Sequence, residues 1–132
     1  MTRLSAALAL ACAVAAVGGC FTGPSVGNFR PAVSGHGVET DIRLRTARVQ
    51  GELLEVRDTA YVVIGDDGVL LVPFSAVRAT HFSGVDDTGA GAPDPALAET
   101  LKLMSRFPRG IPRQALEQIL ADARQTSLKV VR

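Results

Sequence analysis

Cys20 follows Val17-Gly18-Gly19 and closes an apolar stretch, Leu4 to Val17, that begins behind a single cation, Arg3. A thiol in that setting is a nucleophile able to carry an acyl glycerol. The small side chains of Gly18 and Gly19 let an extended backbone enter a protease cleft, which makes Val17, Gly18 and Gly19 the candidate cleavage-recognition residues. Other reactive types are sparse. His36 lies in a Gly-rich stretch and His81 stands beside Phe82, with no cysteine or second histidine at ligand spacing from either. A zinc site needs such spacing and is not expected. Asp86-Asp87-Thr88-Gly89 and Asp94 offer oxygens for calcium, but nothing completes a ligand loop. Ser75 sits in no nucleophile elbow, and no Gly-rich phosphate loop follows a strand-like run. The sequence names no catalytic residue, no metal ligand and no cofactor site.

The order of basic start, apolar stretch, small residues and cysteine resembles the signal of a bacterial lipoprotein. The resemblance implies cleavage of a signal peptide, residues 1–19, acylation of Cys20 (palmitate included), and a lipid-anchored protein of the cell envelope. Two other readings stay open. An ordinary secretory signal could cleave after Ala13-Val14-Ala15 or Ala16-Val17-Gly18, and a membrane anchor would need about 20 apolar residues without the break at Gly18-Gly19. Cys12 competes as acceptor, but only Leu4 to Ala11 precede it, near the lower limit of an apolar region of about 7–15 residues. In Gram-negative lipoproteins an Asp after the cysteine commonly retains the protein in the inner membrane. Phe21 stands there, so the resemblance implies the outer membrane, facing the periplasm.

Loss of the signal changes the composition. Arg3 is one of 14 basic side chains set against 13 acidic ones, so the mature chain carries no net formal charge. Cys12 leaves as well, and Cys20 becomes the only cysteine. Without a disulfide, a single small domain must hold together by its core.

The elements that follow divide the chain. Residues 20–37 are rich in Gly and Pro with no sustained period, which suits a flexible tether. Residues 38–82 are strand-like. Ile42 and Leu44 alternate with Asp41, Arg43 and Arg45; Val49, Gly51 and Leu53 continue the alternation, and the phase then slips to Leu54 and Val56. A slip of this kind marks a β-bulge or a sharp bend. Asp58-Thr59 reads as a turn, Tyr61-Val62-Val63-Ile64 as a strand, Gly65-Asp66-Asp67-Gly68 as a hairpin turn, and Val69-Leu70-Leu71-Val72 as the returning strand ended by Pro73. A single turn at Phe74-Ser75-Ala76 leads to a last strand, Val77 to Phe82. Residues 83–94 read as a Gly/Asp/Pro loop.

Val49-Gln50-Gly51-Glu52-Leu53, Asp58, the β-former run and Val72-Pro73-Phe74-Ser75-Ala76-Val77 together resemble a small Sm-like or SH3-like barrel. The resemblance covers about a third of the chain and implies five short, strongly bent antiparallel strands. It does not carry a nucleic-acid function across. Val62 stands where Sm-like RNA binders carry Asn, and Arg78-Ala79 where they carry Arg-Gly.

Residues 95–132 read as a helical region packing on the barrel. Asp94 is a candidate N-cap with Pro95 at the first helical position, and Leu97, Leu101 and Met104 fall at helical spacing. A strand through Leu101, Leu103 and Ser105 is the alternative. Pro108-Arg109-Gly110 breaks the element, and Pro112 opens a second helix with the stripe Ala115, Leu116, Ile119, Leu120 and Ala123, suited to core packing or to a partner. Charge divides along the same line: six basic and eleven acidic side chains from Cys20 to Thr100, seven basic and two acidic from Leu101 to Arg132. The two halves could complement each other, or Arg106, Arg109, Arg113, Lys129 and Arg132 could face anionic headgroups, an acidic polymer or a partner. The expected fold is mainly β with C-terminal α. The expected function is that of a non-enzymatic binding or scaffold module, membrane-bound through Cys20 and taking an envelope protein as partner. A homo-oligomeric barrel protein and an envelope enzyme are the alternatives.

Overall fold

A computed structural model of the chain describes residues 35–132. Val17, Gly18, Gly19 and Cys20, with the signal and most of the tether, lie outside the described residues. Seven strands form one sheet: β1 (Glu39–Leu44), β2 (Arg48–Val56), β3 (Ala60–Gly65), β4 (Gly68–Pro73), β5 (Val77–Phe82), β6 (Val85–Thr88) and β7 (Lys129–Val130). Two helices, α1 (Pro95–Met104) and α2 (Arg113–Asp122), precede β7. The order across the sheet is β6-β5-β1-β2-β3-β4-β7, antiparallel throughout except for the parallel β4–β7 pair. The protein is mainly β with C-terminal helices. The sheet has two strands more than the expected five, and β4 and β5 are not neighbours in it, so the ladder is open.

Local chemistry explains the turns. Gly65 pairs with Gly68 across Asp66-Asp67, and Gly68 takes a φ of 97°, which glycine adopts without the penalty of a Cβ. The register of β2 against β3 shifts between Leu53 and Glu55, where the apolar alternation changes phase. Leu53 and Leu54 point into two different cores, as successive strand residues do, and the bulge brings Val56 back to the first of them. Pro73 ends β4, and the turn Phe74–Ala76 swings the chain into β5.

One core lies on the face shared by Ile42, Leu53, Tyr61, Val63, Leu70, Val72 and Phe82, and α1 inserts Leu101 into it. Tyr61 meets Phe74 and Phe82 edge to face, at ring separations of 4.7 and 5.5 Å. The second core lies on the opposite face of β3 and β4. There Leu54, Val62 and Val69 meet Phe107 and Leu120, with Ala115, Leu116, Ile119 and Ala123 packed at its margin. Apolar cover on both faces is why β3 and β4 read as unbroken apolar runs.

Residues 95–104 are helical, not a strand. Asp94 caps α1 by accepting the Leu97 N–H at 2.8 Å, and Leu103, which a strand would align with Leu101, is 74% exposed. Val85–Thr88, within the segment read as a loop, pair with β5. Lys129–Val130 add along β4.

Candidate functional site

The polar face of β1, β2 and β5 is where side chains with chemistry converge. In β1 the buried Thr40, Ile42 and Leu44 alternate with Glu39, Asp41 and Arg43. The register sets Asp41 opposite Gln50 on one side and His81 on the other, and sets Arg43 opposite Arg48 and Ala79. Arg48 Nε donates to Asp41 Oδ1 at 2.7 Å, its terminal nitrogen reaches Oδ2, and Gln50 Nε2 donates to Oδ2 at 3.2 Å. These bonds, the Arg48 bond first, hold the Asp41 carboxyl below its ordinary pKa, and the carboxylate holds the Arg48 guanidinium above its own. A carboxylate so engaged is a weak base near neutral pH. Beside it, Asp41, Arg43, Ala79, Thr80, His81 and Thr88 line a cleft of about 170 Å³. The set offers hydrogen bonds and charge, which suits binding.

A larger, open cleft of about 560 Å³ lies between β6, residues 89–94 and the start of α1. Its walls are Gly89, Ala90, Gly91, Ala92 and Pro93 with Val85, Asp86, Thr88, Asp94 and Leu97. Asp94 is engaged as the cap of α1. Among the described residues no group of three or more His, Cys, Asp or Glu could hold a metal ion. No helix among them is long and apolar enough to cross a membrane.

A third polar cluster lies where residues 37–38 lead into β1. The Gly37 N–H donates to Glu52 Oε1 at 2.6 Å, and Val38 N–H to the Met104 carbonyl at 3.0 Å. Leu53 accepts from Arg106 N–H at 3.0 Å, and Leu54 from Phe107 N–H at 2.9 Å. The α1–α2 connector thereby covers the part of β2 that runs past the start of β1. A Cβ at Gly37 would overlap the Leu53 carbonyl oxygen and stand 2.9 Å from Arg106 N.

The five C-terminal cations are distributed over the α1–α2 connector, α2, β7 and the residues after it. Arg106 is half-buried, 3.9 Å from Glu52 and over the Phe107 ring, with its Nε buried and unbonded among the described residues. Arg109 is exposed in the same connector, and Arg113 opens α2 and pairs with Glu117 at 3.0 Å. Lys129 lies on β7 and Arg132 beyond it, at the other edge of the β2–β3–β4 unit. Four arginines are brought together instead: Arg43, Arg45, Arg48 and Arg78 surround the β1–β2 turn. Arg43, Arg45 and Arg48 are already close in sequence, whereas Arg78 joins them only through the β1–β5 register. Comparison with protein families, characterised proteins and solved structures finds no match for the chain.

Proposed function

We propose that the protein is a lipid-anchored lipoprotein of the cell envelope, held through Cys20, whose folded body is a non-enzymatic binding module. The observation that carries this reading is the order Arg3, Leu4 to Val17, Gly18-Gly19, Cys20. The polar clusters support binding over catalysis: each charged group in them is engaged in a structural bond or stands at an open surface. Each buried methylene of an acyl chain contributes about 0.8 kcal/mol, and one chain alone anchors only marginally, so firm attachment takes more than one. Phe21 favours the outer membrane, facing the periplasm. Residues 39–82 are proposed to wrap as a small Sm-like or SH3-like barrel; the order β5-β1-β2-β3-β4 and a single core fed by all five strands support that finer assignment.

The test is Cys20→Ser in cells given a radiolabelled palmitate. The unaltered chain takes up label and sediments with membranes, whereas the variant loses the label and is released or remains an uncleaved precursor. A processed, membrane-bound Cys20→Ser protein overturns the proposal. A second reading, self-association, draws on the two outer strands, β6 and β7, which end the sheet. Light scattering coupled to gel filtration of the mature chain separates a monomer from a closed oligomer.

A further inference from the structure

We propose that the arginine end of the sheet, formed by Arg43, Arg45, Arg48 and Arg78, is a docking surface for an acidic peptide segment of a protein partner. Arg43 and Arg48 are direct cross-strand partners. Like charges so placed repel and destabilise a sheet unless an anion lies between or beside them. Asp41 is bonded by Arg48 and Gln50 and acts on Arg43 through space without an ion-pair contact. Among the described residues Arg43, Arg45 and Arg78 have no carboxylate within ion-pair distance, and all three are exposed. Arg45 lies in the turn closed by the Leu44 N–H to Ala47 carbonyl bond. Arg78 is the extra residue of a bulge: Arg43 faces Ala79 while Leu44 faces Val77, and the residue between them is displaced. Three exposed arginines thus belong to one end of β1 and its neighbours, and a guanidinium is suited to forked bonds with carboxylates.

A peptide fits this surface better than a lipid headgroup layer for two reasons. The 170 Å³ cleft lined by Asp41, Arg43, Ala79, Thr80, His81 and Thr88 opens beside the arginines and gives a peptide a shaped polar recess, in which the one carboxylate is already held by Arg48. Thr88, at the end of the outermost strand β6, borders the cleft, and β6 has one edge unpaired in the sheet, where an extended backbone can add.

The probe is a fluorescein-labelled oligo-glutamate of about ten residues, read by anisotropy against the full chain in neutral detergent. Binding is expected at low salt, with loss of roughly tenfold in affinity on raising salt from about 50 to about 300 mM, because exposed charges are screened. The triple variant R43Q/R45Q/R78Q is expected to bind at least about tenfold more weakly. It leaves the Arg48–Asp41 pair intact, and its fold is checked by circular dichroism. R109Q, on the connector, is expected to bind like the unaltered chain. No binding at low salt, or equal binding by the triple variant, overturns the proposal. So does preferential binding to phosphatidylglycerol vesicles through the same arginines, which would make the surface a lipid contact.

Discussion

Tyr61 is the residue whose surroundings make the clearest demand on its chemistry. Its ring is buried against Phe74 and Phe82, and that burial pushes its phenol up to about 12. In the unfolded chain a tyrosine ionises near 10. A folded-state pKa raised in this way contributes stability that is complete below about pH 10 and lost as pH rises through about 12. The chain has one Tyr and no Trp, so phenolate absorbance reports this residue alone. The midpoint is expected near 12 in native buffer and near 10 in denaturant; a native midpoint of 10 contradicts the burial. Asp41 has the opposite sign. Its lowered pKa contributes stability above about pH 3.9 that is lost as pH falls through the folded value, and Asp41→Asn should flatten acid unfolding followed by circular dichroism in that range. Neither behaviour is readable from spacing alone. A tyrosine within a β-former run announces burial but not which rings meet it, and Asp41 finds Arg48 only once the β1–β2 register is set. Arg78 escaped sequence reading as a neighbour of Arg43, Arg45 and Arg48 for the same reason. Charge counted along the chain placed the excess of cations after Leu101, whereas register collects four of the earlier arginines at one end of the sheet.

At the scale of elements, apolar period carried most of what could be read. The phase change at Leu53-Leu54 is a bulge, the Gly65–Gly68 turn closes the β3–β4 hairpin, and Asp94-Pro95 starts α1. The short outer strands were not legible. β6 is Val85-Asp86-Asp87-Thr88 and β7 is two residues long; polar or very short edge strands carry no apolar alternation, so their chemistry reads as loop. Gln125 is part of the same gap. From beyond α2 its side chain accepts the Val69 N–H at 2.7 Å and donates to the Val69 carbonyl at 3.2 Å, copying a strand partner at the edge of β4. Gln125→Ala leaves both backbone groups without that partner and is expected to cost about 1–3 kcal/mol. Faster amide exchange at Val69, with little change at Val63, would locate the loss; unchanged exchange at Val69 would count against it. Leu120→Ala opens the second core and is expected to cost about 2–5 kcal/mol in a denaturant melt. A cost under about 1 kcal/mol would mean that α2 contributes little to the fold.

For the whole molecule, the junction at Gly37 decides whether the sheet and the helices unfold together. Three separate stretches of chain meet there. Gly37 and Val38 lead into β1, Glu52 to Leu54 belong to β2, and Met104 to Phe107 link α1 to α2. Backbone bonds join all three, and a Cβ on Gly37 has no room because it would overlap the Leu53 carbonyl oxygen. Backbone, unlike the far end of a flexible side chain, cannot yield cheaply. Gly37→Ala must therefore displace either the incoming chain or the connector, a cost of about 1–3 kcal/mol by the general scale for overpacking. Because the connector also covers the exposed part of β2 and leads into α2, the loss should be felt by both cores at once. The expected result is a lower melting temperature with coincident transitions in circular dichroism and in the fluorescence of Tyr61, which sits in the first core. If the helices melted first while Tyr61 kept its native signal, the junction would be a local tie and α2 a separable layer. If Gly37→Ala melted like the unaltered chain, the close approach of the three stretches would not constrain the fold.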